Sequence, residues 1–301
     1  MEISRRNFLK IGAVAGGAAL VTGHGTAGAE EKKTRGGGYG CLVDISLCDG
    51  CRKCEFACNQ ANTLPPPDRS FEDMKVLDEY RRPTEAAFTV VNRHQTGNVE
   101  RPVYVKTQCM HCNDPACVSA CIVGALTKEK NGAVVYDKDK CLGCRYCMVA
   151  CPFQIPAYEY RDPLAPRVRK CTFCFDRISK EGGAPACAKM CPMEAIEFGP
   201  REEVIAMARD RISNGGTPYR RHRPYVNRIY GEREVGGTAW MYISPVPFEK
   251  AGFLALPEEA PPRLTEAIQH AIFKGFVPPL AVYSLLGVVM HLFREREKAK
   301  G

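Results

Sequence analysis

Four cysteine runs between residues 48 and 191 constrain this chain more than any other feature. The first is Cys48, Cys51, Cys54 and Cys58, spaced C-x2-C-x2-C-x3-C. The second, Cys109, Cys112, Cys117 and Cys121, widens the central gap. The third, Cys141, Cys144, Cys147 and Cys151, repeats the first and ends on Pro152. The fourth, Cys171, Cys174, Cys187 and Cys191, carries an inserted loop and ends on Pro192. Three thiolates at such spacing wrap a tight turn around one metal cluster. The fourth lies one helical turn beyond the third and is carried away from that cluster. In two-cluster ferredoxins it ligates the other cluster. The runs therefore work in pairs that exchange their fourth cysteines. Zinc is the rival metal, but zinc sites use two separated ligand pairs. Disulfides are the other rival, yet four thiols within eleven residues stand too close for unstrained pairing. A chain of 301 residues also buries a core without covalent staples.

The charge balance agrees. The formal net charge is +8. Sixteen thiolates around four 4Fe–4S cores, each of about +2, bring the total close to zero. The basic character therefore does not imply nucleic acid, and no basic stripe interleaved with aromatics argues for it. Cys41 is the seventeenth cysteine, on an expected strand Tyr39–Ile45. As a small buried hydrophobe it needs no metal.

Further strands are expected at Val103–Thr107, Ala133–Tyr136, Ala157–Tyr160 and Ala195–Phe198, with short helices carrying each fourth cysteine. The middle runs are separated by the 19 residues Ile122 to Lys140, which suits one ferredoxin unit with a hairpin. The outer runs bracket it. The fold class is α+β: tandem bacterial-ferredoxin-like units with an insertion, Asn59 to Arg101, plus one C-terminal transmembrane helix.

The two ends carry separate signals. Ser4-Arg5-Arg6-Asn7-Phe8-Leu9-Lys10 has the form of a twin-arginine export signal, and the weak apolar stretch Ile11 to Val21 follows it. Ala27-Gly28-Ala29 offers a cleavage site, so the mature chain begins at Glu30. The twin-arginine route exports folded proteins, which suits a chain that receives its clusters before export. At the other end, residues 271–293 form an apolar run of 23 residues. At about 1.5 Å per residue it covers a hydrocarbon core of about 30 Å. Arg294, Arg296, Lys298 and Lys300 follow and place the C-terminus in the cytoplasm. Four divisions result: a signal peptide at 1–29, the four-cluster domain at 30–204, a cysteine-free extension and linker at 205–262, and the membrane helix with its basic tail at 263–301.

The four runs, in this order, resemble the four-cluster ferredoxin-type electron-transfer (beta) subunits of membrane-bound respiratory oxidoreductases. The resemblance covers about residues 40–200. Within that group the chain is most similar to the HybA-type subunit of periplasm-facing uptake nickel–iron hydrogenases. The signal, the run Cys141 to Pro152, the segment Tyr230-Gly-Glu-Arg-Glu-Val-Gly-Gly-Thr238 and the tail Phe273 to Ala281 carry that likeness. It implies four 4Fe–4S clusters. Their ligands would be Cys48, Cys51, Cys54 and Cys191; Cys58, Cys171, Cys174 and Cys187; Cys109, Cys112, Cys117 and Cys151; and Cys121, Cys141, Cys144 and Cys147. Ile122 departs from the proline often found after the second run. The resemblance further implies a non-catalytic relay between the hydrogenase small and large subunits and a multi-span quinone-reactive membrane subunit. The chain would sit at the inner membrane on a single C-terminal span, its main domain facing the periplasm. The iron–sulfur beta subunit of a periplasmic formate dehydrogenase, or of a related molybdopterin oxidoreductase, is the alternative. His111 reads either as a hydrogen-bond donor toward a cluster sulfur or as a loop histidine held by backbone. His291 and Arg220 to Arg223 read as solvated, with a minority reading of the arginines as a docking patch.

Overall fold

The computed structural model describes residues 38–97, 102–162, 167–214 and 225–298. The signal segment, Arg220 to Arg223 and Lys300 lie outside the described residues. Residues Arg35–Pro262 form one compact unit, and Arg263 onward belongs to another.

The central sheet has three strands in the order β8–β1–β9. β1 is Tyr39–Asp44, β8 is Ile196–Pro200 and β9 is Trp240–Ile243. β1 pairs antiparallel with β8, Cys41 opposite Phe198, and parallel with β9, Cys41 opposite Trp240. Thus the chain just before the first run is tied to the chain just after the fourth. Alternation along β1 sends Cys41 and Val43 to one face and Leu42 to the other. On Leu42's side, helix α6 (Arg201–Ser213) lays Val204, Ile205 and Ala208 over Leu42, Met241 and Ile243. On Cys41's side lies the larger core around Trp240, whose ring meets Phe173 edge-on at 6.1 Å.

Three two-stranded sheets surround this centre: β2 (Thr89–His94) with β3 (Val103–Gln108), β4 (Leu126–Lys128) with β5 (Val134–Tyr136), and β6 (Ala157–Tyr158) with β7 (Val168–Arg169). All are antiparallel. The expected hairpin between the middle runs is β4–β5, and the expected strands recur to within a few residues. The insertion supplies β2 and a short 3-10 helix, Met74–Asp78.

The helices are where expectation and structure part. Only α1 (Lys53–Ala61) contains its run's fourth cysteine, Cys58. Helices α2 (Ala116–Ser119), α3 (Tyr146–Ala150) and α5 (Ala186–Lys189) hold the third cysteines and stop before Cys121, Cys151 and Cys191. Pro152 and Pro192 explain two of these stops, because a residue before proline is pushed out of the helical region. Cys151 accordingly adopts φ −75°, ψ 114°. Run two stops likewise on Ile122, without the proline. Helix α4 (Phe175–Glu181) fills the loop inserted into run four. α1 packs on α5 and α2 on α3, so runs one and four share a unit, as do runs two and three.

The last helix, α7, runs from Pro261 to Lys298 without a break. Among the described residues no helix is long and apolar enough to cross a membrane, so the span expected at 271–293 is not shown. Side chains are described continuously only from residue 280 to residue 292, all of them exposed.

Candidate metal centres

Each run opens on a turn that only unusual backbone geometry allows. Gly50 and Gly143, between the first and second cysteines of runs one and three, have φ of +78° and +70°. A Cβ on Gly50 would stand 2.5 Å from the Tyr104 ring. Arg52 and Arg145, just after the second cysteine, are left-handed at φ 60°. In runs two and four the left-handed residue comes just before the second cysteine: His111 at 49° and Phe173 at 59°. Non-glycine residues rarely adopt this region, and where they do, the surrounding fold is holding them there. Run one therefore matches run three, and run two matches run four, in the backbone of the opening turn.

These turns aim backbone amides at sulfur. Gly143 N donates to Cys141 Sγ at 3.4 Å, Phe173 N to Cys171 Sγ at 3.4 Å and Ala125 N to Cys121 Sγ at 3.2 Å. The Gly50 amide does the same for Cys48. Amide donation to thiolate sulfur is a principal way a protein stabilises and tunes an iron–sulfur cluster.

All seventeen cysteines are free thiols. Burial brings thiols of different runs close enough to feel one another's charge. Cys48 and Cys51 meet Cys191, and Cys54 meets Cys48. Cys58 meets Cys171, Cys187 and Cys174. Cys112 meets Cys109, Cys151 and Cys117. Cys147 meets Cys141, Cys144 and Cys121. These neighbours join run one to run four and run two to run three. Cys54 and Cys187, Cys171 and Cys109, and Cys117 and Cys147 are charge neighbours as well. Cys41, fully buried, lies near Cys187.

Burial, then the neighbouring thiols, push Cys48, Cys117 and Cys171 up to about 12 and Cys147 to about 11. Grouped thiolates are unfavourable here unless a metal's positive charge offsets them. No three His, Cys, Asp or Glu side chains among the described residues close around a single metal ion. A zinc site would need them to, with sulfurs about 2.3 Å from one centre. In a 4Fe–4S cubane each iron takes one thiolate, so the four ligands stand further apart. The donor sets fit that group.

Two features escaped sequence reasoning. Met110 C=O accepts from Ala239 N at 3.1 Å, and Asn113 N donates to Gly237 C=O at 2.9 Å. The segment Tyr230 to Thr238 therefore clamps the turn of run two, with Arg201 Nε donating to Thr238 C=O at 2.9 Å behind it. Its glycine pair was the available signal: Gly236 and Gly237 both have positive φ. Lys106 is the other. It is buried at 2% exposure beside Cys187, Cys54 and Cys171, on a strand whose pattern gave no hint of a charged interior. His111 follows the second of its two readings, a ring held by backbone. Its Nδ1 accepts from Val134 N at 2.9 Å, which leaves the ring proton on Nε2, and Nε2 is buried without a hydrogen-bond partner. Burial, then Lys170 and Lys128, hold the imidazole well below its ordinary pKa, so it is neutral. His291 is exposed.

Residues 101–201 match the 4Fe-4S dicluster domain, and residues 2–22 match the twin-arginine translocation signal sequence. The chain is 37% identical over 317 residues to the hydrogenase-2 operon protein HybA of Escherichia coli O157:H7, covering 96% of this chain and 95% of that one. The chain belongs to this iron–sulfur subunit family. The nitrate-inducible formate dehydrogenase iron–sulfur subunit of Escherichia coli K12 is a relative at 33% over 259 residues, 83% of each chain. A protein of Nitratidesulfovibrio vulgaris is 47% identical over 253 residues, of which this chain spans 66%. Like the HybA-type and formate dehydrogenase subunits, the chain is an electron-transfer protein that binds 4Fe–4S clusters.

Proposed function

We propose that this chain relays electrons between a periplasm-facing nickel–iron hydrogenase and a quinone-reactive, multi-span membrane subunit. Four 4Fe–4S clusters, held by the four cysteine sets in the ligand assignment given above, supply the one-electron chemistry. The observation that carries this reading is that thiols of paired runs neighbour one another, as Cys48 and Cys51 do Cys191, under turns whose backbone amides donate to sulfur. The protein's part is to fix the spacing, exclude water from the inner sets and direct amide donors at sulfur. One set opens outward. Cys144 is the only exposed cysteine, and Ile122, Leu142, Tyr146 and Val149 around its set are 79%, 69%, 56% and 81% exposed. Apolar side chains at an exposed redox site suit docking of another subunit.

The signal supports export with the main domain in the periplasm. Exposed Leu, Val, Met and Tyr along residues 280–292 support α7 as the anchor in the inner membrane. Formate dehydrogenase is the second reading, kept open by the 33% identity. The hydrogenase reading is favoured because HybA aligns over nearly the whole chain and because the signal stands on this chain itself. Purification of the native complex from membranes tests both: co-purifying hydrogenase subunits support the first, and co-purifying formate dehydrogenase subunits replace it.

A further inference from the structure

Lys106 sits on β3 with its ammonium in the interior. Its Nζ donates to Gln108 Oε1 at 2.8 Å and stands 4.3 Å from the centroid of the Trp240 ring. Gln108 Nε2 donates to Tyr242 Oη at 2.7 Å, and Tyr242 Oη donates back to the Lys106 carbonyl at 2.9 Å. This closed ring of neutral groups fixes the ammonium without neutralising it. No carboxylate among the described residues lies within ion-pair distance. A buried ammonium without a counter-ion is costly, and the other strongly buried cation of this region, Arg52, has Glu55 at 2.9 Å.

Lys106 lines one cavity together with Cys48, Cys51, Cys54 and Cys191. Asp49 and Arg52 line it too, but Asp49 Oδ1 is taken by Cys51 N at 3.1 Å and Arg52 by Glu55. On the other side, the Trp240 ring beneath the ammonium belongs to the same core as Cys187. Lys170, also buried, differs: two backbone carbonyls, of Val134 and Cys171, already receive its ammonium.

We infer that Lys106 is the internal counter-ion of the two clusters held by the first and second cysteine sets, and that its fixed charge sets their reduction potentials above what the thiolates alone would give. This rests on the cluster reading above. A reduced cluster is more negative by one charge, so a nearby cation favours the reduced state. Lys106 is thus a positioning residue for charge: it donates no electron and releases no proton.

The test is an EPR-monitored redox titration of the full-length chain in its native complex, with iron analysis alongside. In Lys106→Met the oxidised-to-reduced ratio of one or both clusters of the first two sets should rise about tenfold at a given potential, a downward shift of about 59 mV for a one-electron couple. The cluster of Cys121, Cys141, Cys144 and Cys147 should titrate unchanged. Lys106→Arg should restore the shifted potentials. If Lys106→Met loses iron from the first two sets while Lys106→Arg keeps it, the charge is needed to hold those clusters and the assignment stands. Unchanged potentials in an iron-replete Lys106→Met, or an arginine variant that behaves like the methionine one, would overturn it. Iron and acid-labile sulfide in the unaltered protein report separately on the cluster reading itself.

Discussion

His111 and Phe173 occupy equivalent turns, and their rings meet at 5.0 Å. The pseudo-symmetry therefore tells what run two would look like with phenylalanine in place of its histidine. His111→Phe should fold and keep its iron, because the matching turn already accepts that side chain. It removes the buried Nε2–H donor. If that donor faces cluster sulfur, the reduction equilibrium of one cluster should fall about fivefold, the worth of one hydrogen bond of about 1 kcal/mol. An EPR titration reads the difference. Cys41 gives the opposite expectation. It is fully buried and lies near the second set, yet its backbone belongs to β1 and to no run. Cys41→Ala should leave iron content unchanged at a stability cost of about 1 kcal/mol. Cys144→Ser should degrade one cluster. Iron loss in the Cys41 variant equal to that in the Cys144 variant would mean that the sixteen-ligand set is misassigned.

The strands around the runs were legible because the cysteine spacing leaves little room for other arrangements. β4 and β5 follow from nineteen residues between two cluster turns, and β1 follows from Tyr39 to Ile45. The helix ends were less legible, since spacing alone does not say whether Cys151 and Cys191 precede a break or continue a helix; the prolines decide. β9 was hidden for another reason. Trp240 to Ile243 reads as an apolar run in a cysteine-free stretch, and nothing local announces that it pairs parallel with a strand about 200 residues earlier. Lys106 and Gln108 were hidden by alternation, which assigns polar residues of a strand to solvent. In β3 both faces are covered, and Val103, Val105, Lys106 and Gln108 are all buried. The last element supports a prediction of its own. No cysteine lies beyond Cys191, so truncation after Pro262 should leave a folded, coloured iron–sulfur protein. In membranes carrying it, hydrogen-to-quinone electron transfer should drop severely while hydrogen-to-dye activity largely survives. Unchanged quinone reduction would show that α7 is dispensable for coupling.

At the scale of the molecule, the protein has an exposed apolar rim and a route by which it reaches its place of work. Val149→Glu puts a charge on the apolar rim without touching a thiol. Iron content should hold and transfer to the subunit docked there should fall about tenfold, the effect of about 1.4 kcal/mol lost at an interface. Replacing Arg5 and Arg6 with Lys should strand cluster-loaded chain in the cytoplasm, which fractionation of cells would show. The proposed pairing of Cys48, Cys51 and Cys54 with Cys191 would also impose an order on biosynthesis. Residues leave the ribosome from the N-terminus at about 5–20 per second. The set of Cys121, Cys141, Cys144 and Cys147 is complete once residue 147 has emerged, and the third set once residue 151 has. The outermost set, which contains the earliest thiols made, waits for the last. Its three early cysteines must remain reduced and unpaired while more than a hundred residues follow, and β1 cannot find β8 until then. On the proposed assignment, sites become complete from the middle of the sequence outward. The export signal is the first segment to appear, yet the cargo behind it becomes fit to travel only when residue 191 closes the final site.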